Sequence, residues 1–200
     1  MAPDRKLPAY RLRLRDLLLE DLATARLRDP AARNRFEVAM IYPGVHALWA
    51  HRLSSRLWAL GLRLLARMLQ QLTRTMTGVD IHPAATLGRR LFIDHATGVV
   101  IGETAVVGED CVIFHGVTLG GVAMRKGKRH PTVGNRVMIG AGAKVLGPIT
   151  IGDDCKIGAN AVVVKPVPSN SVAVGVPARI TAKTDECKDA DLIVDPTVFI

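Results

Sequence analysis

The sequence predicts an α+β protein, a helical segment followed by a parallel β-solenoid, and three observations carry that reading. Leucines and arginines interleave at helical spacing up to residue 78, aliphatic residues recur every six positions after it, and glycine is frequent (18 of 200 residues) while aromatics make up only 4%. A chain that is 48% hydrophobic and 22% charged has enough apolar material to bury a core of its own. That core has to be aliphatic, and its backbone has to turn often.

Residues 10–28 and 44–76 carry apolar side chains three and four positions apart with charges between them, so each predicts an amphipathic helix. Asp29-Pro30 and Pro43-Gly44 punctuate the pattern, with a shorter helix expected between them. Residues 1–78 hold 14 Lys and Arg against 6 Asp and Glu, whereas the rest holds 13 against 12. Because the arginines fall between leucines and no aromatic-rich module accompanies them, the basicity reads as a solvated helix face rather than a nucleic-acid or membrane patch. No run reaches about 18 apolar residues and the N-terminus lacks a signal-peptide pattern, so a cytoplasmic chain is expected.

After Gly78 the period becomes six: Ile81, Leu87, Ile93, then Ile101, Val107, Ile113, Leu119, then Val133, Ile139, Val145, Ile151, Ile157, Val163. Six is the period of neither a helix nor a hairpin sheet; it is that of a solenoid in which each hexad gives one short strand and one turn. Small residues four positions on, among them Cys111 and Cys155, read as inward fillers, and three cysteines without metal-ligand spacing argue against a disulfide framework or a zinc site. Two breaks interrupt the repeat. Ile93 to Ile101 spans eight residues, and Leu119 to Val133 spans fourteen, the second being a basic, glycine-rich stretch expected to protrude over 121–132. Its GVAMRKGKR run is not a P-loop, since Gly121 to Gly127 is one residue too long and Lys128 is followed by Arg129.

The motifs RDPAA (28–32), YPGVHALWAHR (42–52), GVDIHPAA (78–85), FIDHATGVVIGETAVVG (92–108), HGVTLGG (115–121), GKRHPT (127–132), GAGAKVLGP (140–148) and GVPARI (175–180), in this order, resemble the serine O-acetyltransferases of the hexapeptide acyltransferase superfamily. The resemblance implies a helical domain over 1–78, a left-handed parallel β-helix over 79–180 and a tail over 181–200. It implies acetyl transfer from acetyl-CoA to the L-serine hydroxyl for L-cysteine synthesis, with L-cysteine as feedback inhibitor and no metal. A hydroxyl is a weak nucleophile near neutral pH and needs an oriented base; the resemblance assigns His95 as that base and Asp80 as its orienting carboxylate.

In the same way Arg129 and His130 match the binders of the serine carboxylate, and Asp29 and Asp94 those of its ammonium group. Gly120 and Gly121 are candidates near the thioester. Gly140, Ala141 and Ala159 would give close approach to coenzyme A, although small residues there also suit solenoid corners, with Lys156 or Arg179 near phosphate. The family forms homotrimers with sites between chains, and the short N-terminal segment makes a hexamer the less expected assembly. The closing Ile200 matches the terminal residue that binds O-acetylserine sulfhydrylase. His46, His51 and His82 read as helix-face or turn residues, and His115, three hexads after His95, as a neighbour of the base. Competing readings are transfer to another small acceptor and a regulatory scaffold for the sulfhydrylase.

Overall fold

The computed structural model describes residues 13–183 of the 200-residue chain, and Cys187 and Ile200 lie outside them. Four helices come first: α1 (Leu14–Arg28), α2 (Arg35–Ile41), α3 (Pro43–Ala59) and α4 (Arg63–Thr77). Asn34 caps α2 by accepting the Glu37 N–H at 2.9 Å, and Pro43 opens α3 where its missing N–H is not needed. The spacing over 44–76 predicts one helix, but the chain folds it into two antiparallel ones. Gly61 takes the left-handed conformation (φ 83) and α4 returns along α3. Apolar periodicity continues through that break, which is why the pattern does not locate it.

From Asp80 the chain winds as a three-sided prism of parallel strands. Face A stacks β1 (Asp80–Ile81), β4 (Val100–Ile101), β7 (Thr118–Gly120), β10 (Lys144–Leu146) and β13 (Val162–Val163). Face B stacks β2 (Thr86–Leu87), β5 (Val106–Val107), β8 (Thr132–Val133) and β11 (Thr150–Ile151). Face C stacks β3 (Phe92–Ile93), β6 (Val112–Ile113), β9 (Met138–Ile139), β12 (Lys156–Ile157) and β14 (Ser171–Val174), and β15 (Arg179–Ala182) closes it as an antiparallel partner of β14. That final hairpin is invisible to the hexad pattern, which has ended by then.

Register turns the repeat into three columns: Ile81, Ile101, Leu119, Val145, Val163; Leu87, Val107, Val133, Ile151; and Ile93, Ile113, Ile139, Ile157, Ala173. All are buried, and each large aliphatic side chain contributes roughly 1.5–3 kcal/mol on burial. Cys111 and Cys155 fill the same core. Both breaks in the repeat are extruded at corners: the first places His95 and Ala96 in the left-handed region (φ 54 and 53) between faces C and A, and the second emerges between faces A and B.

The helices are stitched to the first coil. Buried Arg52 on α3 bonds Asp21 of α1 at 3.1 Å and donates to the carbonyls of Leu87 and Gly88 at 2.9 and 2.8 Å, while Arg89 pairs with Glu20 at 2.6 Å. Removing one partner of the buried Arg52–Asp21 pair costs about 3–5 kcal/mol. Gly44 brings α3 onto β3 so closely that a Cβ there would fall 2.1 Å from the Ile93 carbonyl oxygen.

His51, fully buried, bonds the Ala85 carbonyl through Nε2 at 3.1 Å and leaves Nδ1 without a partner. Burial pushes its pKa down to about 3. The folded chain therefore keeps this ring neutral while the unfolded chain protonates it below about pH 6.5, so its contribution is complete above 6.5 and is lost as pH falls toward 3. Urea midpoints from pH 7 to 4 are expected to fall more steeply for the wild type than for His51→Gln, by up to about 3 kcal/mol at pH 4; parallel slopes would contradict this.

Candidate active site

Asp94 and His95 follow β3 directly, and the two-residue insertion swings the imidazole out of the prism. Its side chain is 75% exposed, while Ala96 beside it is fully buried and anchors the turn. A non-glycine pair in the left-handed region is strained by about 1 kcal/mol or more per residue, a conformation that surrounding structure must hold. His95 Nε2 lies 3.6 Å from Asp94 Oδ2, and the His115 ring stands edge-on to His95 with centroids 6.0 Å apart. From the helical side Asp29 arrives at the end of α1: its Oδ1 accepts the Ala31 N–H at 2.8 Å and its Oδ2 the Tyr42 hydroxyl at 2.6 Å. Burial, then the bond to Asp29, raises the Tyr42 pKa to about 12, and the Asp94 charge adds to the effect. The Tyr42 phenol thus bonds the Asp29 carboxylate and feels the charges of Glu37 and of Asp94, the residue before His95.

A second cluster occupies a cleft of about 380 Å³ on face A, lined by Asp80, His82, Gly102, Glu103, Arg129 and His130. Arg129 pairs with Glu103 at 2.6 Å. His130 is buried, its Nδ1 accepting the Thr104 N–H at 3.1 Å, and burial followed by the Arg129 charge lowers its pKa. Gly121 adjoins this pair, since a Cβ on it would lie 3.2 Å from the Arg129 carbonyl and from His130 Nε2. Gly120 ends β7 on the same side, bonded to the Gly147 N–H at 2.9 Å.

The direct Asp80–His95 bond expected from one-coil spacing is not among the described contacts. Asp80 stands in register with Val100 and pairs with Arg74 at 3.3 Å, while His95 stands on the corner between faces C and A with its side chain exposed. The structure thus groups Asp29, Asp94 and His95, groups Asp80, Arg129 and His130, and leaves the two sets apart. Gly140, Ala141 and Ala159 lie on the corner that bears His95 and His115, with the His115 carbonyl accepting the Gly142 N–H and the Ala141 carbonyl the Asn160 N–H, both at 2.8 Å. Lys156 is buried on face C in a groove with Arg136 and Asp154, and Arg179 is exposed on β15, paired with Val174 at the end of face C that leads into that corner. Among the described residues no group of three or more His, Cys, Asp or Glu is placed to hold a metal ion, and no helix is long and apolar enough to cross a membrane.

Residues 130–165 match the family model described as bacterial transferase hexapeptide (six repeats). The chain is 65% identical over 164 residues to a serine acetyltransferase of Mycobacterium tuberculosis, covering 82% of this chain and 72% of that one. The chain belongs to the serine acetyltransferases. It is an acyltransferase, 59% identical over 155 residues to the Helicobacter pylori enzyme, with 78% and 91% of the two chains covered. It superposes on the Neisseria gonorrhoeae serine acetyltransferase in complex with serine at TM-score 0.81 and 47% identity, over 84% of this chain and 69% of that one. A serine acetyltransferase in complex with cysteine aligns at TM-score 0.84 and 44% identity, over 88% and 68%.

Sequence reasoning missed Tyr42, Gly102, Glu103 and Thr104, although all four lie inside motifs that carry the family resemblance. Their contacts join residues 13 to 28 positions apart, which no periodicity exposes. Tyr42→Phe should leave the thermal midpoint nearly unchanged while raising the serine KM about three- to tenfold, because Asp29 loses the donor that fixes it. Steady-state kinetics with serine varied would check this, and an unaltered KM would remove Tyr42 from the site.

Proposed function

We propose that this chain transfers the acetyl group of acetyl-CoA to the hydroxyl of L-serine by direct attack. Asp29 and Asp94 receive the ammonium group, and Arg129 with His130 takes the carboxylate. His95 removes the hydroxyl proton as the oxygen attacks the thioester carbon; the tetrahedral oxyanion collapses, the carbon–sulfur bond breaks, and the CoA thiolate takes the proton back from His95. The small residues of the C–A corner, Gly140, Ala141 and Ala159, suit coenzyme A lying along the coils beside His95. Lys156 on face C and Arg179 on β15 are the candidate partners of its phosphates. L-cysteine, which differs from serine by sulfur for oxygen, would occupy the same fork.

One observation supports placing this site between chains. The five residues Gly98 to Gly102 cross face A, so about 15 Å separates the corner of His95 from that of Arg129 and His130. Serine is only about 5 Å long and cannot span that gap within one chain. In a C3 trimer each contact joins two different surfaces of adjacent copies, so His95 of one copy can enter the cleft of the next and meet Asp80, Arg129 and His130 there. On this reading Asp80 exchanges Arg74 for the neighbouring imidazole. A homotrimer is therefore the minimal functional unit; a cytoplasmic location, and capture of Ile200 by O-acetylserine sulfhydrylase, complete the proposal.

His95→Ala is expected to lower kcat by about 10²- to 10⁴-fold while L-serine still binds, as read by thiol release and calorimetry. Undiminished turnover would end the general-base assignment. Deleting Ile200 should abolish co-elution with the sulfhydrylase and leave acetyl transfer intact; co-elution of the truncated chain would contradict the partner reading.

A further inference from the structure

Thr104 sits at the corner between β4 and β5, facing the end of the long loop. Its Oγ1 accepts the N–H of Arg129 and of His130, each at 3.1 Å, and lies 2.9 Å from His130 Nδ1. The Thr104 backbone N–H donates to the same Nδ1 at 3.1 Å. A threonine hydroxyl has one proton and two lone pairs. Both lone pairs meet N–H donors, so its proton is directed at Nδ1. With two donors aimed at it, Nδ1 has to be an acceptor, and the neutral ring must carry its hydrogen on Nε2. The Cδ2–Nε2 edge lies over Gly102, where a Cβ would come within 2.1 Å of both atoms, so the ring fills space that only glycine leaves open.

We propose that Thr104 is a positioning residue for amino-acid recognition: it clamps the Arg129–His130 pair and holds His130 in the Nε2–H tautomer, so that a neutral donor stands beside the Arg129 guanidinium. The proposal rests on the reading of Arg129 and His130 as the carboxylate fork. The opposite tautomer would turn a bare lone pair toward the substrate carboxylate and repel it. Arg129 and Lys128 oppose protonation of the ring and Glu103 favours it, while Arg67, Asp80 and His82 line the same cleft. Burial, the largest influence, keeps the ring neutral near pH 7. A protonated ring donates from Nε2 whatever Thr104 does, so the role of Thr104 fades in acid.

That pH signature separates positioning from mere structural support. In the full-length protein, Thr104→Val removes the hydroxyl at nearly constant shape, and Thr104→Ser retains it. Calorimetric titration with L-serine should give a dissociation constant raised about tenfold for the valine variant at pH 8 and distinctly less only well below pH 6.5, at pH 5 and under, because burial delays protonation of the ring. The acetyl-CoA KM should be unchanged, and the serine variant should stay within about twofold of wild type. A valine variant that binds serine normally, or whose defect is constant with pH and shared by acetyl-CoA, overturns the proposal if His130→Ala still weakens serine binding. A His130→Ala chain with normal serine affinity overturns the fork reading itself, and this inference with it. Ring-nitrogen shifts of histidine-labelled wild-type protein give a check that needs no variant to fold: Nε2 protonated and Nδ1 bare supports the tautomer lock, and the reverse contradicts it.

Discussion

A hexad prism has no interior space for an extra residue. Each coil rests on the next through backbone hydrogen bonds and close-packed aliphatic columns, so any residue outside the six-residue pattern is expelled at a corner. The repeat is broken twice before its end, and both expulsions bear polar chemistry: His95 at one edge of face A, Arg129 and His130 at the other. The same rigidity that expels these side chains also holds them. Their spacing is set by the width of a face rather than by a flexible loop, and in the proposed function the substrate's own length calls for a neighbouring copy to close the distance.

The helical part does more than shield the first coil. Through Arg52 and Arg89 it is fixed to β2 and its corner, and through Gly44 it lies directly on β3, immediately before Asp94 and His95. Asp29 is thereby carried to the insertion by the end of α1, with Tyr42 bonded to it. Polar groups recruited from sequence positions far apart converge because rigid elements present them, not because the local chain brings them together.

Most of the architecture was legible in the sequence, and the reason is periodicity. The thirteen hexad aliphatics give the columns directly, and the two irregular intervals give the corners where chemistry sits. Legibility ends where contacts depend on how coils and helices stack. Gly61 breaks a helix without disturbing its apolar pattern, Arg74 pairs with Asp80, and Thr104 meets His130 across 26 residues. The proposed amino-acid binders Asp29 and Asp94 rest on family likeness, since isolated aspartates have no periodic signature; Tyr42, bonded to Asp29, is visible only once the helices are packed.

The central claim is that one catalytic centre draws on two copies of the chain. Trimers reassembled from equal amounts of His95→Ala and Arg129→Ala chains, each inactive by itself, test it directly. If the imidazole and the guanidinium come from adjacent copies, a random mixture restores about a quarter of the wild-type turnover. If both come from the same chain, every centre in the mixture is defective, and turnover no greater than that of the separate variants would contradict the account.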